Sequence, residues 1–480
     1  MMTNERRTKI LITLGPATDD PMMMEKLILA GTNCVRLNFS HGLHSDHQRR
    51  IELVRKTAEK LNRVIGILGD LQGPKIRVAN FIDKKIKLSV GQTFILDASM
   101  DSNAGTEKAV GIDYKNLPQD VVSGDILLLD DGRLTFKVQK VQGSQVYCEV
   151  MQGGELSNHK GINKQGGGLT AKALTQKDRE DLIFAIRMNV DYIAISFPRN
   201  AEDVLETREL IKKANGNCGI IAKIERTEAV QEIDSIIKVS DGVMVARGDL
   251  AVEIGDAEVP IVQKHIIQRA RTLDRPVIIA TQMMESMIHS SVPTRAEVSD
   301  VANAVLDHAD AVMLSAETAA GEYPVETVET MARVCFTAEQ LPKTHVSRHR
   351  VECQFERIDE AIAMATMYTA NHFPVRAVVC LTESGATPLW MSRIRTALPI
   401  FALSRFTRTL GKMTLYRGVY PIYFDVTRCK REAVNRDTIH FMESKNHLKL
   451  DDLVILTKGE HMGESGGSNA MKILIVGKVE

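Results

Sequence analysis

The sequence predicts an α/β protein: a (β/α)8 barrel of the TIM type, an inserted small β-barrel lid domain, and a C-terminal open α/β domain. Three observations lead there. Short runs rich in Val, Ile and Leu alternate with helix-like stretches and reach a count of eight, the pattern of parallel strands buried on both faces. That alternation breaks once, between the third and fourth runs, into polar–apolar alternation typical of antiparallel strands. A second strand–helix series then begins near residue 345.

The eight runs are Ile10–Leu14, Cys34–Asn38, Val64–Leu68, Tyr192–Ser196, Gly219–Ile224, Gly242–Ala246, Pro276–Ala280 and Ala311–Leu314. An open doubly wound sheet shares the local pattern; the count of eight favours closure. Thr294–Leu306 reads as one of the intervening helices. The barrel is assigned to residues 1–71 and 170–344. Residues 72–169 are the insertion, where Lys85–Val90, Leu134–Val138 and Val146, Cys148 and Val150 alternate strictly. Asp131-Gly132 is a hairpin-turn signal and Gly166-Gly167-Gly168 a flexible return. An insertion in a βα loop of the barrel lies at its catalytic face and reads as a lid, with a plain structural appendage as the alternative. Residues 345–480 form the last domain: a helix at 358–371, strand Ala377–Leu381, a helix near 387–396, and strands Ile400–Leu403, Val419–Phe424, Leu453–Leu456 and Ile473–Val476.

Composition narrows the function. At 480 residues the chain has room for roughly three domains. Lys+Arg and Asp+Glu are both 61, so the net charge is zero, which argues against a nucleic-acid or acidic-membrane partner. No run approaches the length of a membrane span, and the polar, basic start lacks a signal-peptide core. The seven cysteines include no C-x-x-C; the closest, Cys335 and Cys353, are 18 positions apart. A reduced, cytoplasmic compartment and buried, inert thiols follow.

The familiar nucleotide and zinc motifs are missing: no G-x-x-x-x-G-K-[ST], G-x-G-x-x-G or H-E-x-x-H. Gly463-Glu-Ser-Gly-Gly467 fits a nucleophile elbow in letters only, because no His follows it. His41, His44 and His47 lack a completing carboxylate or thiolate for zinc, and read as surface or capping residues. The strongest signal is Lys223-Ile224-Glu225 at the end of the fifth run. Residues i and i+2 of a strand share a face, so a Lys and a Glu stand together at the rim where such barrels place catalysis. The sixth run ends in Ala246-Arg247-Gly248-Asp249. Glu225 and Asp249 on neighbouring strands suit Mg²⁺, and Lys223 beside them suits phosphoryl transfer. The competing reading is a rim salt bridge. Other strand ends add Arg36, Asn38 and Ser40; Asp70, Lys75 and Arg77; Thr281; Ser315 and Glu317. Singly each is an ordinary rim residue; together they describe a cationic pocket for a small anionic phosphate substrate.

At these residues the chain resembles the pyruvate kinase family, in its bacterial type II-like form. The matching stretches are Val35–Gly42, Gly69–Arg77, Lys223–Arg226, Met244–Leu250, Thr281–Met287, Pro293–Val298 and Met313–Thr318, in family order over essentially the whole chain. The resemblance implies a cytoplasmic glycolytic phosphotransferase, usually a homotetramer, that moves the phosphoryl group of phosphoenolpyruvate to ADP. It implies that Glu225 and Asp249 hold Mg²⁺, with Mn²⁺ as a substitute. Lys223 and Arg36 would stabilise the phosphoryl group, and amides at Ala246, Arg247, Gly248 and Asp249 would bind the substrate carboxylate. Thr281 would help protonate the enolate through water. Arg77 and Lys160 would grip the nucleotide phosphates.

Two departures from the family pattern matter. Lys75 stands where many members have Glu, in a monovalent-cation pocket otherwise made by Asn38, Ser40 and Asp70. A tethered ammonium there predicts that K⁺ is not required. In the C-terminal domain Thr382, Ser384, Gly385 and Thr387 match the site of a phosphorylated effector, but Glu383 and Ala386 replace its usual cations. A bisphosphate is therefore disfavoured against a monophosphate. Two rivals remain: a Mg²⁺-dependent carbon–carbon lyase, which would not need Arg77, Lys160 or a lid, and an inactive regulator, which would have lost Lys223, Glu225, Asp249 or Thr281.

Overall fold

The computed structural model describes residues 6–345, 347, 349–459 and 467–479. The motif at Gly463–Gly467 falls, apart from its last residue, outside them. The eight barrel strands are β1 (Lys9–Thr13), β2 (Cys34–Asn38), β3 (Gly66–Asp70), β4 (Tyr192–Ile195), β5 (Gly219–Ile224), β6 (Gly242–Ala246), β7 (Val277–Ala280) and β8 (Ala311–Leu314). They close in the order β1-β8-β7-β6-β5-β4-β3-β2. Every residue of β1, β3, β4, β6, β7 and β8 is buried, as a strand covered on both faces must be. The exceptions are β2 and β5, whose half-buried residues are Arg36, Asn38 and Lys223. The barrel's only breaks in full burial thus coincide with chemistry-bearing side chains.

The chain divides into two compact units: Met1–Gly69 with Ala185–Ile193 and Ala270–Glu480, and Asp70–Phe184 with Ala194–Arg269. In the first, the C-terminal domain is a five-stranded sheet. Its strands are β9 (Ala377–Leu381), β10 (Ile400–Ser404), β11 (Val419–Tyr423), β12 (Leu453–Gly459) and β13 (Ser468–Ile475), in the order β11-β10-β9-β12-β13. Only β13 runs antiparallel to its neighbour. Buried polar groups fasten this domain to the N-terminal ends of β1 and β8. Arg393 forks onto Asp310, with Nη1 to Oδ2 at 3.0 Å, and both side chains are 1% exposed. The Arg417 amide also donates to Asp310, at 3.1 Å. Arg417 Nη2 also lies 3.5 Å from Glu339 Oε1 of the barrel, and Glu339 in turn accepts from the Arg7 amide at 2.8 Å and from the Thr8 amide and hydroxyl at 2.6 Å each. A helix expected near 387–396 spans only Ala386–Ser392; Arg393 leaves it at the point where its side chain turns in to Asp310.

In the second unit the insertion is a curled six-stranded sheet. Its order is Ile162–Lys164, Ile126–Leu129, Leu134–Gln142, Gln145–Gln152, Thr93–Asp97, Ala109–Gly111, with Lys85–Leu88 and Gly154–Ser157 forming a separate pair. Register shifts at Thr135/Phe136 and Val138/Lys140 bend the longest hairpin, as bulges do. The expected turn at Asp131-Gly132 joins Ile126–Leu129 to Leu134–Gln142, with positive φ at Asp130, Asp131 and Gly132. Phe94, Leu96, Leu127, Phe136, Val146 and Cys148 lie in the insertion's own core. Among the described residues no helix is long and apolar enough to cross a membrane.

Candidate active site

In the second unit, β5 carries Lys223 one residue before its end and Glu225 follows it. Same-face geometry brings the Lys223 ammonium to 2.9 Å from Glu225 Oε1. Ser196 Oγ lies 2.7 Å and Asp70 Oδ1 3.4 Å from the same nitrogen. Glu225 is 1% exposed, and its Oε2 accepts from the Phe197 amide at 2.8 Å. Burial pushes the Glu225 carboxyl above its ordinary range; Lys223 opposes this, and the nearby Asp249 carboxylate adds to it. The salt bridge expected from spacing alone is thus present, but it sits beside a second carboxylate.

Asp249 lies in the first turn of the helix Arg247–Ile254, which starts directly from β6. Arg247, Gly248 and Asp249 are the first residues of that helix after Ala246, at the end where a helix carries partial positive charge. Lys75 Nζ is 2.9 Å from Asp249 Oδ1 and 3.9 Å from Asp131 Oδ1. The sequence grouped Lys75 with Asn38, Ser40 and Asp70. Within the second unit Lys75 pairs with Asp249, and Asp70 lies beside Lys223. The reason is reach and charge: a long cationic stem closes onto the nearest partly buried carboxylate.

Farther along the insertion, the Arg77 amide donates to Asp113 at 2.8 Å and its guanidinium to the His159 carbonyl at 2.8 Å. Lys160 pairs with Asp130 at 2.8 Å. Both cations expected to meet nucleotide phosphates are thus held on the insertion.

In the first unit, Arg36 Nη1 donates to Thr13 Oγ1 at 3.1 Å, and Asn38 Oδ1 accepts from the Ser40 amide at 3.2 Å. β7 ends at Ala280, and the next two residues have φ of +68° at Thr281 and +56° at Gln282. A β-branched residue in the left-handed region is a real outlier, costing on the order of 1–3 kcal/mol. Thr281 Oγ1 donates to the Ala280 carbonyl at 2.6 Å. Glu317, 2% exposed, accepts from the Met284 amide at 3.3 Å and the Ser315 amide at 2.6 Å. It therefore ties together the loops after β7 and β8. His41 and His44 are exposed; His47 is buried, with Nε2 3.0 Å from the His41 carbonyl oxygen.

At the expected effector loop, Thr382 Oγ1 accepts from the Gly385 amide at 3.0 Å and Ser384 Oγ from the Ala386 amide at 3.4 Å. Thr387 is buried and donates to Ser468 Oγ at 2.8 Å. Arg405, which sequence reasoning passed over, pairs with Glu383 at 3.3 Å. Ser196 was passed over too. Its position at the end of a barrel strand was a signal, but a serine there carries no chemistry until its partners are known.

The residues fit a hard divalent cation. Glu225 and Asp249 offer only carboxylate oxygens, and the Glu225 carboxyl is raised chiefly by burial, with the Asp249 charge adding to it. Among the described residues no group of three or more His, Cys, Asp or Glu side chains could hold a metal. Two protein carboxylates, with the remaining positions left to substrate and water oxygens, is the way Mg²⁺ is commonly bound.

Comparison with known proteins shows the family. The family model for the pyruvate kinase barrel domain matches residues 5–328, and that for the pyruvate kinase alpha/beta domain matches 360–474. "Pyruvate kinase II" of Salmonella typhimurium is 55% identical over 475 residues, covering 98% of this chain and 99% of that protein. The pyruvate kinase of Haemophilus influenzae is 57% identical over 458 residues, covering 95% of this chain and 96% of its own. That of Sporosarcina psychrophila is 43% identical, covering 98% of this chain and 81% of its own length. The chain is a phosphotransferase, and it belongs to the pyruvate kinase family.

Proposed function

We propose that this chain transfers the phosphoryl group of phosphoenolpyruvate to ADP, giving pyruvate and ATP, with Lys223, Glu225 and Asp249 at the centre of the chemistry. The observation that carries the reading is the 2.9 Å Lys223–Glu225 pair beside Asp249, on the rim of a barrel of this family. Glu225 and Asp249 would hold Mg²⁺, or Mn²⁺ in its place, which when bound neutralises charge on substrate carboxylate and phosphoryl oxygens. The Lys223 ammonium stabilises the phosphoryl group in transit, where charge is spread over its equatorial oxygens. Arg36 contributes a second, forked cation to that group. The amides at Ala246, Arg247, Gly248 and Asp249 receive the substrate carboxylate.

After transfer, the enolate carbon needs a proton. The Thr281 hydroxyl is too weak an acid to supply it alone, so it orients a water that does. Its strained backbone aims that hydroxyl at one position. Arg77 and Lys160 bind the nucleotide phosphates, and closure of the inserted domain excludes water as a competing acceptor. The enzyme is read as a cytoplasmic glycolytic homotetramer. It takes a phosphorylated effector at Thr382, Ser384, Gly385 and Thr387, where Glu383 offsets Arg405 and so favours one phosphate over two. The test is pyruvate formation that requires phosphoenolpyruvate, ADP and a divalent cation together; pyruvate released without ADP would contradict it.

Lys75 makes a separate expectation. Its ammonium, 2.9 Å from Asp249, already places a positive charge in the site. Two unit charges ~4 Å apart repel by about 4 kcal/mol at an effective dielectric of 20, so a monovalent cation near Lys75 is disfavoured as well as unnecessary. The steady-state rate in tetraalkylammonium buffer with saturating Mg²⁺ should change less than about twofold on adding roughly 100 mM KCl, against a matched tetraalkylammonium chloride control. A rise of about tenfold specific to K⁺, equal to 1.4 kcal/mol of barrier, would defeat the idea.

A further inference from the structure

Ser196 directly follows β4 and is 1% exposed. Its Oγ lies 2.7 Å from the Leu71 carbonyl oxygen and 2.7 Å from Lys223 Nζ. Carbonyls only accept and ammoniums only donate, so the single hydroxyl proton goes to Leu71 and the lone pairs face Lys223. The direction of the hydrogen bond is fixed without any choice of rotamer.

Around the Lys223 ammonium, Glu225 and Asp70 present carboxylates, whereas Ser196 presents a neutral hydroxyl. A lysine is a point charge on a flexible four-carbon stem. Between two carboxylates alone it would follow whichever was less neutralised at that moment. Ser196 supplies a fixed anchor whose attraction does not change when charge at Glu225 changes.

The anchor also reaches the connection into the inserted domain. Leu71 follows β3, and its amide donates to the Ala194 carbonyl at 3.0 Å, so Leu71 is held at both its amide and its carbonyl. Two residues on, Gly73 has φ +69°, and its amide donates to Asp178 Oδ1 at 3.0 Å. A Cβ at Gly73 would stand 2.6 Å from Ser196 Cβ. The outgoing connection therefore closes over Ser196 as only a glycine allows.

We propose that Ser196 is a positioning residue: it aims the Lys223 ammonium at the transferring phosphoryl group and links that aim to the path of the chain into the inserted domain. The proposal rests on the reading of Lys223 given above. Misplacement of a reacting group by about 1 Å can cost on the order of 100-fold in rate, and an anchor lost from one side of Lys223 falls within that range.

The test is a double-mutant cycle. Ser196→Ala removes the acceptor. Ser196→Cys keeps the shape with a poor acceptor, and serves where the alanine variant does not fold. Each is measured alone and with Lys223→Met, for kcat and for the phosphoenolpyruvate KM, with thermal unfolding as a check on the fold. Either single variant should lower kcat by about 10–100-fold with KM changed less than about threefold. On the Lys223→Met background the same change should cost less than about twofold, because there is no ammonium left to aim. A loss as large on that background as in the wild type would make Ser196 a structural residue and overturn the proposal alone. A Lys223→Met enzyme with wild-type rate would overturn the reading of Lys223 and this proposal with it.

Discussion

Lys223→Met loses ATP formation by about 10²–10³-fold, the usual effect of removing one preorganised electrostatic group from a site of developing charge. Exchange of the pyruvate methyl protons with solvent, which needs no phosphoryl transfer, falls less than about tenfold in the same variant. Thr281→Ala shows the reverse. Its hydroxyl orients the proton donor, so methyl exchange drops by about 10²–10⁴-fold, the range of general acid–base effects. ATP formation drops less, because an enolpyruvate left unprotonated can leave and tautomerise in solution. The two activities are read separately, one by nucleotide product and one by deuterium incorporation. Equal loss of both in both variants would remove the division of labour between β5 and the loop after β7.

Glu225→Gln and Asp249→Ala each reduce turnover by at least about 10³-fold, since a metal ion stabilising transition-state charge is worth several kcal/mol. They act through different surroundings. Glu225 is buried against Lys223 and the Phe197 amide, so neutralising it also changes the field at the lysine. Asp249 shares its carboxylate with Lys75, so its removal frees that ammonium. Both variants should weaken Mn²⁺ binding, measured directly by electron paramagnetic resonance without substrate. Unchanged Mn²⁺ affinity together with a rate within about tenfold of wild type would take the metal away from these residues.

Much of this was legible in the sequence because burial on both faces leaves a simple signature. β2, β5, β6 and β8 have the predicted boundaries. β3 was read as Val64–Leu68 but spans Gly66–Asp70: its last residue is a buried carboxylate, which an apolar pattern cannot include. In the insertion, Thr93–Asp97 and Ala109–Gly111 were not read as strands. They are short and pair with each other in parallel, and Thr93–Asp97 pairs on its other side with Gln145–Glu149 farther along the chain.

The site divides the same way. Lys223 and Glu225 were legible because i, i+2 geometry is local. The Lys75–Asp249 pair spans 174 positions, and the Lys223–Ser196 bond spans 27; neither separation leaves a periodic trace. Thr281 was chosen for its hydroxyl, but its positive φ was hidden, since a β-branched residue is among the last that local preference would put there. Arg405 gained its meaning only when the fold set it against Glu383.

The account centres on ADP as the phosphoryl acceptor, and ³¹P NMR of the purified protein with phosphoenolpyruvate, ADP and Mg²⁺ tests that most directly. The expected result is one-for-one loss of the phosphoenolpyruvate signal and growth of the ATP γ-phosphate signal, stopped by chelation of the metal. Accumulation of inorganic phosphate in place of ATP, or an unchanged spectrum, would contradict it.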